Sequence, residues 1–178
     1  MLDNWKESFK HLLVSEGGYT EDPRDPGNHL PDGRAGCTNL GVTQAAWEAF
    51  VGHQVSNQDM RDLTPEKIDP FYKKKYWDAV RADELPSGLD YLVFDFAINA
   101  GPGRSIKCLQ SAVGSTPDGG FGPNTMKAVM AHDQAELVEK FSQAKLDFYR
   151  SLPTFATYGN GWTSRVASVK KQAESMLA

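Results

Sequence analysis

Glu16 is the residue in this sequence whose type and position best suit acid–base chemistry. Apolar residues at Trp5, Phe9 and Leu12 recur at helical spacing, which predicts an amphipathic helix over residues 3–15. Glu16 falls on the same apolar face. Burial there and the negative end of the helix dipole both raise the pKa expected for its carboxyl. Glu16 is therefore a candidate proton donor, and an exposed glutamate before the two glycines that follow is the alternative.

The segment after Glu16 carries the residue types that a second catalytic group would need. Its carboxylates and hydroxyls are Asp22, Asp25, Asp32, Thr38 and Thr43. Two carboxyl groups on either side of a glycosidic bond are the usual apparatus for cleaving it, and a hydroxyl can hold the attacking water. An aspartate before proline or glycine is, however, a common turn former. Residue types alone leave the second group open.

The elements that must position these side chains are mainly helical. The stretch at residues 19–42 is rich in Asp-Pro and Pro-Asp-Gly turns, which predicts a long loop or a small β-hairpin. The hydrophobic period and the caps predict helices that begin after Thr43 and, later, at residues 88–99, 104–113, 123–131, 133–150 and 161–177. We expect the apolar segment 88–99 to be the central helix. The fold class predicted is mainly α.

Composition and charge exclude several classes of protein. The 178 residues include 19 Lys and Arg against 23 Asp and Glu, a net charge of −4, which argues against a nucleic-acid-coating protein. No stretch approaches the roughly 20 apolar residues of a membrane-spanning helix, so we expect no membrane insertion. The four histidines and two cysteines lack metal-ligand spacing. We predict no metal and no cofactor.

Five ordered motifs give the sequence a resemblance to a known family. They are EGGY (16–19), DPRDPGN (22–28), TNLGVT (38–43), FDFAINAG (94–101) with LQ (109–110), and DGGFGPNT (118–125) with GWTSRV (161–166). The sequence resembles the glycoside hydrolase 108 family, lysozyme-like N-acetylmuramidases found in phage endolysins and some bacterial genomes. Its second half resembles the peptidoglycan-binding-like segment that accompanies them.

The resemblance implies a lysozyme-like helical fold that cuts the β-1,4 bond between N-acetylmuramic acid and N-acetylglucosamine. It implies a catalytic lobe at residues 1–87 and a peptidoglycan-binding-like lobe at 88–178, packed as one globular unit. Glu16 carries over as the general acid, and Asp25 and Thr38 as groups that orient water or steady the developing positive charge. The predicted substrate contacts are Tyr19, Thr43 and Asn99. One departure is the link at residues 28–37, which is longer than usual, so we expect Asp25 to be placed less firmly than Glu16.

The resemblance also implies a biological setting. We expect a monomeric phage endolysin whose partner is the peptidoglycan glycan strand. No Sec-type signal peptide is visible, since Asp3 and Glu7 stand where basic residues would be. Such an enzyme is made in the host cytoplasm and reaches the wall after the membrane is permeabilised. Two alternatives stay open, a lytic transglycosylase acting on the same bond and a non-catalytic wall-binding module.

Overall fold

The computed structural model describes residues 4–177, and the fold they form is mainly helical. Their nine α-helices are α1 (Trp5–Ser15), α2 (Gln44–Val51), α3 (Asn57–Arg61), α4 (Pro65–Tyr72), α5 (Leu89–Ala100), α6 (Pro102–Ala112), α7 (Pro123–Met130), α8 (Gln134–Arg150) and α9 (Phe155–Ser175). Strands β1 (Thr38–Asn39) and β2 (Val42–Thr43) pair in an antiparallel hairpin. The predicted fold class is confirmed, with the β structure in and beside the predicted loop. No helix in the described part of the chain is both long and apolar enough to cross a membrane.

The contacts divide the chain into two compact units. The N-terminal unit consists of residues 6–74, and the described part of the C-terminal unit consists of residues 4–5 and 75–177. By contacts, residues 75–87 therefore group with the C-terminal unit. The division into a catalytic lobe and a wall-binding lobe at residues 87 and 88 stays a prediction.

Helix α5 is the core of the C-terminal unit. Its residues from Leu89 to Ala97 are all buried, as expected for the central helix. The ring of Phe94 meets Trp5 and Trp77 edge to face, with centroid distances of 5.4 Å in both pairs. Such pairs add about 0.5–1.5 kcal/mol each beyond the area they bury. The first residue of α1 is thus part of the core around α5.

A buried ion-pair cluster crosses the C-terminal unit. Lys145 Nζ on α8 lies 2.7 Å from Asp95 Oδ2 on α5, and the two side chains are 1% and 3% exposed. Arg165 Nη2 on α9 lies 3.1 Å from the other oxygen of Asp95. Because a buried charge without a partner is costly, these contacts fix the three helices in one arrangement.

Helix α9 begins earlier than the sequence predicts. The sequence predicted a start at residue 161, whereas the helix starts at Phe155. A methyl group on Gly159 would lie 2.8 Å from the ring of Phe155, so this glycine makes room for an aromatic ring one turn earlier. A packing role, rather than a helix break, explains the glycine at this position.

In the N-terminal unit, aromatic packing holds α4 against α1. The ring of Tyr72 lies 5.8 Å from Phe9 and 5.3 Å from Phe71, and Tyr72 is buried. The hairpin is attached to the same unit through Asn39, whose side-chain amide donates to the carbonyl of Met60 at 2.8 Å. These contacts set the position of the hairpin turn relative to the end of α1.

Candidate active site

The turn between β1 and β2 has an unusual backbone. Its two central residues, Leu40 and Gly41, have positive φ angles of 51° and 77°, the signature of a two-residue type I′ hairpin turn. Positive φ is unfavourable for leucine. The hydroxyl of Tyr72 donates a 2.9 Å hydrogen bond to the Leu40 carbonyl, which holds the strained residue in place.

The carboxyl of Glu16 lies against this turn. Glu16 follows α1 directly, its amide donates to the Leu12 carbonyl at 3.1 Å, and its side chain is half-buried. A methyl group on Gly41 would lie 2.7 Å from Glu16 Cδ and 2.6 Å from the Tyr72 hydroxyl oxygen. A glycine is thus required at position 41 both by the backbone and by the space that the carboxyl fills. The raised pKa expected for Glu16 stays a prediction.

Three of the other predicted residues meet at the base of the same hairpin. A methyl group on Gly27 would lie 3.3 Å from Asp25 Oδ1, 3.6 Å from Thr38 Oγ1 and 3.0 Å from Thr43 Cγ2. Thr38 and Thr43 are partners in the strand register. One further strand pair, Asn39 with Val42, lies between this pair and the turn, so the turn begins two residue steps, about 7 Å, further along the hairpin. Glu16 and the Asp25 group therefore stand at the two ends of one short hairpin.

Thr38 is held more firmly than Asp25. Its hydroxyl donates to Asn28 Oδ1 at 2.8 Å, and its backbone pairs with Thr20 through bonds of 2.8 and 2.9 Å. Asp25 is exposed, and its carboxylate accepts only a local bond among those seen, from the Gly27 amide at 2.9 Å. This arrangement suits Thr38 to holding a water at a fixed point.

Thr43 and Tyr19 already make contacts of their own. The Thr43 hydroxyl caps α2 by accepting from the Ala46 amide at 3.2 Å, as the sequence predicts. The Tyr19 hydroxyl donates to Glu21 at 2.9 Å, and the guanidinium of Arg61 lies 4.6 Å from the ring centre. Partial burial is the main cause of a raised pKa of the Tyr19 hydroxyl, and hydrogen bonds with neighbouring side chains add to it. Substrate binding by either residue stays a prediction.

The long link at residues 28–37 forms a loop that is held by its own hydrogen bonds and by an ion pair to α2. Leu30 is buried, and its amide donates to the Arg34 carbonyl at 3.1 Å. Arg34 makes a forked pair with Glu48 on α2, at 2.7 and 3.1 Å. This pair lowers the pKa of Glu48. Residues 28–37 therefore form a loop after Asp25 that these contacts hold in place.

Asn99 belongs to the C-terminal unit. It lies near the end of α5, is exposed, and its amide is 3.4 Å from Asp95 Oδ2. The structure thus brings five of the six predicted residues together in the N-terminal unit and places Asn99 in the other. Its predicted contact with substrate stays a prediction.

Tyr72 is the site residue that the sequence did not single out. Its place in the apolar period of α4 indicates a core residue, and nothing local reveals that its hydroxyl reaches Leu40, 32 positions away. Gly41, directly after Leu40 and before the β-branched Val42, was the one local signal of a tight turn. Within residues 4–177, no group of three His, Cys, Asp or Glu side chains could hold a metal ion.

A half-buried carboxyl at a hairpin turn of a helical protein, with a hydroxyl and a second carboxyl at the base of that hairpin, is an arrangement that a lysozyme-like glycoside hydrolase would use. Comparison with known families agrees. The family model Glycosyl hydrolase 108 matches residues 9–101, and Predicted Peptidoglycan domain matches residues 104–167. The chain belongs to the Glycosyl hydrolase 108 family and is a glycoside hydrolase acting on peptidoglycan.

A solved structure supports the same assignment. The chain is 37% identical to the protein described as "Structure of Brucella abortus SagA", with a TM-score of 0.82. The similarity covers 97% of this chain and 95% of that one. A comparison with curated proteins finds no match.

Proposed function

We propose that this enzyme is a muramidase that hydrolyses the β-1,4 bond between N-acetylmuramic acid and N-acetylglucosamine, with Glu16 as the general acid. The observation that carries the proposal is the position of the Glu16 carboxyl, half-buried against Gly41 at the hairpin turn. Three other carboxyls of the N-terminal unit, Asp22, Asp32 and Glu48, each pair with an arginine, which suits them to structural roles.

The proposed reaction is a hydrolysis with one proton donor. Protonated Glu16 gives its proton to the glycosidic oxygen as the bond to the anomeric carbon breaks, which leaves a positively charged, oxocarbenium-like sugar. A water then adds to that carbon and releases a proton to the solvent, from which the Glu16 carboxylate is protonated again. In this scheme Thr38 and Asp25 orient the water or stabilise the positive charge.

Mass spectrometry of digested peptidoglycan tests both the bond and the acid. Purified wild type, Glu16→Gln and the control Glu66→Gln are incubated with the same peptidoglycan. Glu66 is an exposed glutamate in the first turn of α4, so its variant makes the same chemical change away from the hairpin. We expect reducing N-acetylmuramic acid ends from wild type and control, and a loss of about 10²–10⁴-fold in Glu16→Gln.

Each contrary outcome has a definite meaning. A product lighter by one water, with a 1,6-anhydro end, would identify a lytic transglycosylase. Reducing N-acetylglucosamine ends would assign the other glycosidic bond. Full activity of a folded Glu16→Gln would remove Glu16 from the acid role. Binding with no cleavage by wild type would leave a wall-binding module.

The proposed setting is a phage endolysin that is made in the host cytoplasm and reaches the wall through a permeabilised membrane. The family resemblance supports this role, whereas the similarity to a Brucella abortus protein favours a bacterial enzyme as the second candidate. Expression in bacteria with and without a membrane-permeabilising agent tests it. Lysis only after permeabilisation supports the proposed setting, and lysis without the agent would contradict it. We expect gel filtration to give a monomer.

A further inference from the structure

The C-terminal unit contains a cavity of about 410 Å³ formed by its own helices. It lies where the end of α5, the start of α6, the end of α8 and the first half of α9 come together. The polar and aromatic residues that line it are Asn99, Arg104, Phe148, Tyr149, Trp162 and Arg165. None of these residues belongs to the unit that contains Glu16. The cavity is a site that the proposed cleavage chemistry does not use.

One wall of the cavity is an aromatic surface that is partly open to solvent. The ring of Trp162 lies 5.2 Å from Tyr149 at 32° and 5.7 Å from Tyr158 at 29°. Tyr158, which stacks on Trp162 outside the cavity lining, is 56% exposed, which is uncommon for so large an aromatic side chain. Burial raises the pKa of Tyr149 to about 12, so its phenol stays protonated at neutral pH. Such a flat, amphipathic surface suits the apolar face of a sugar ring.

The other wall is cationic. The guanidinium of Arg104 lies 4.8 Å above the ring of Phe148 and is exposed. Arg165 is held by Asp95, yet its Nε atom is buried and has no hydrogen-bond partner among the described residues. Asp95 also pairs with Lys145, so the charges of Asp95, Lys145 and Arg165 sum to +1, and Arg104 adds another. An unsatisfied buried donor within a net positive wall favours an anionic acceptor.

We propose that this cavity binds a stem-peptide carboxylate of peptidoglycan, with Arg104 and Arg165 on the carboxylate and Trp162 against the adjoining sugar. Arginine presents a planar fork that matches a carboxylate, whereas an uncharged glycan offers it no such partner. The match of Predicted Peptidoglycan domain to residues 104–167 spans five of the six residues named above. The proposal rests on peptidoglycan being the substrate, and it makes the C-terminal unit selective for peptide-bearing strands.

Binding of defined ligands tests the proposal on the full-length Glu16→Gln protein, which leaves the ligands uncut. The ligands are a disaccharide tetrapeptide with free carboxylates, the same compound with those carboxylates amidated, and a peptide-free N-acetylglucosamine oligomer. Calorimetry should show at least about tenfold tighter binding of the free-carboxylate ligand, because a hydrogen bond to a charged group contributes about 1.5–3 kcal/mol. Compounds amidated only at the peptide C-terminus, or only at the side-chain carboxyls, distinguish the two sources of carboxylate.

Variants on this background identify the arginine. Arg104→Ala should weaken binding of the free-carboxylate ligand about tenfold and abolish its preference over the amidated one, and Arg104→Lys should restore part of both. Arg150→Ala is the matched control, since Arg150 is an exposed arginine of the same unit outside the cavity lining. Equal affinity for the free and amidated ligands, or no effect of Arg104→Ala, would overturn the proposal.

The outcome is separable from that of the cleavage experiment. Cleavage is read from the masses of products made by proteins that retain Glu16, whereas binding is read on a protein that lacks it. Cleavage by wild type, together with no carboxylate preference in Glu16→Gln, refutes the cavity proposal alone. No cleavage by wild type, together with a carboxylate preference in Glu16→Gln, refutes the muramidase proposal alone.

Discussion

The Tyr72 hydroxyl donates a 2.9 Å hydrogen bond to the carbonyl of Leu40, a residue held at a φ of 51°. Leucine adopts such a conformation only where the surroundings enforce it. Here the strained turn presents Gly41, and the Glu16 carboxyl occupies the space that a side chain at Gly41 would need. The hairpin turn and the proposed acid are therefore one structural feature, and a change in either disturbs both.

Replacing Gly41 with alanine should strongly lower turnover on peptidoglycan, with only a small loss in melting temperature. The new methyl group would overlap Glu16 and the Tyr72 hydroxyl, and a displacement of about 1 Å can cost about a hundredfold in rate. Gly33→Ala is the matched control. Gly33 has a similar φ of 88° but open space around it, so it suffers the same backbone strain without touching Glu16. Turnover on peptidoglycan is compared after thermal melts of both variants. Equal activities would contradict the prediction.

Asp25→Ala and Thr38→Ala should each lower turnover less than Glu16→Gln does. A water can be oriented by several polar groups, whereas proton donation in the proposed scheme has one donor. The Thr38 variant should be the more impaired, because Thr38 is tied to Asn28 and Thr20 while Asp25 is exposed. Steady-state turnover decides the order, with Thr38→Ser as the variant that keeps the hydroxyl. A loss in Asp25→Ala as large as in Glu16→Gln would indicate two essential carboxylates.

Lys145→Met should destabilise the protein by about 3–5 kcal/mol, because it leaves Asp95 buried with one of its two cationic partners removed. Lys140→Met is the control on the same helix. Lys140 pairs with Glu136 at an exposed position, and such pairs contribute about 0.3–0.5 kcal/mol. Urea denaturation measures both changes. A similar, small effect of the two variants would show that the buried pair adds little stability.

Ionisation of Asp90 should lower the free energy of unfolding as the pH rises from about 4 to about 6. Burial raises the pKa of Asp90 to about 6, against hydrogen bonds from Asn4, Tyr91 and Gly88 that favour the ionised form. Since the native state holds this proton more tightly than the unfolded state, its contribution is complete below about pH 4 and is lost above 6. Relative to Asp90→Asn, which cannot ionise, wild type should lose up to about 3 kcal/mol between pH 4 and pH 7.5. Denaturation curves at several pH values would refute this if the difference between the two proteins stayed constant.

The sequence by itself determined the local structure of this protein. The period of apolar residues predicted α5 and α8 to within about one residue, and the hydroxyl of Thr43 predicted where α2 begins. The motif around Glu16 identified the family. These features could be predicted because helix periodicity, caps and turn residues act over a few neighbouring positions, so their signals are present in the local order of residues.

Only the tertiary structure decided which distant groups meet. Glu16, Gly41 and Tyr72 come together across 56 positions, and Asp95 finds its cations 50 and 70 positions away. The last helix was predicted to start at residue 161, yet it starts at Phe155, and Gly159 makes room for the ring of Phe155 within it. Such contacts depend on how whole elements pack against each other, and a charge or a glycine has the same local signature whether it faces water or fills a site.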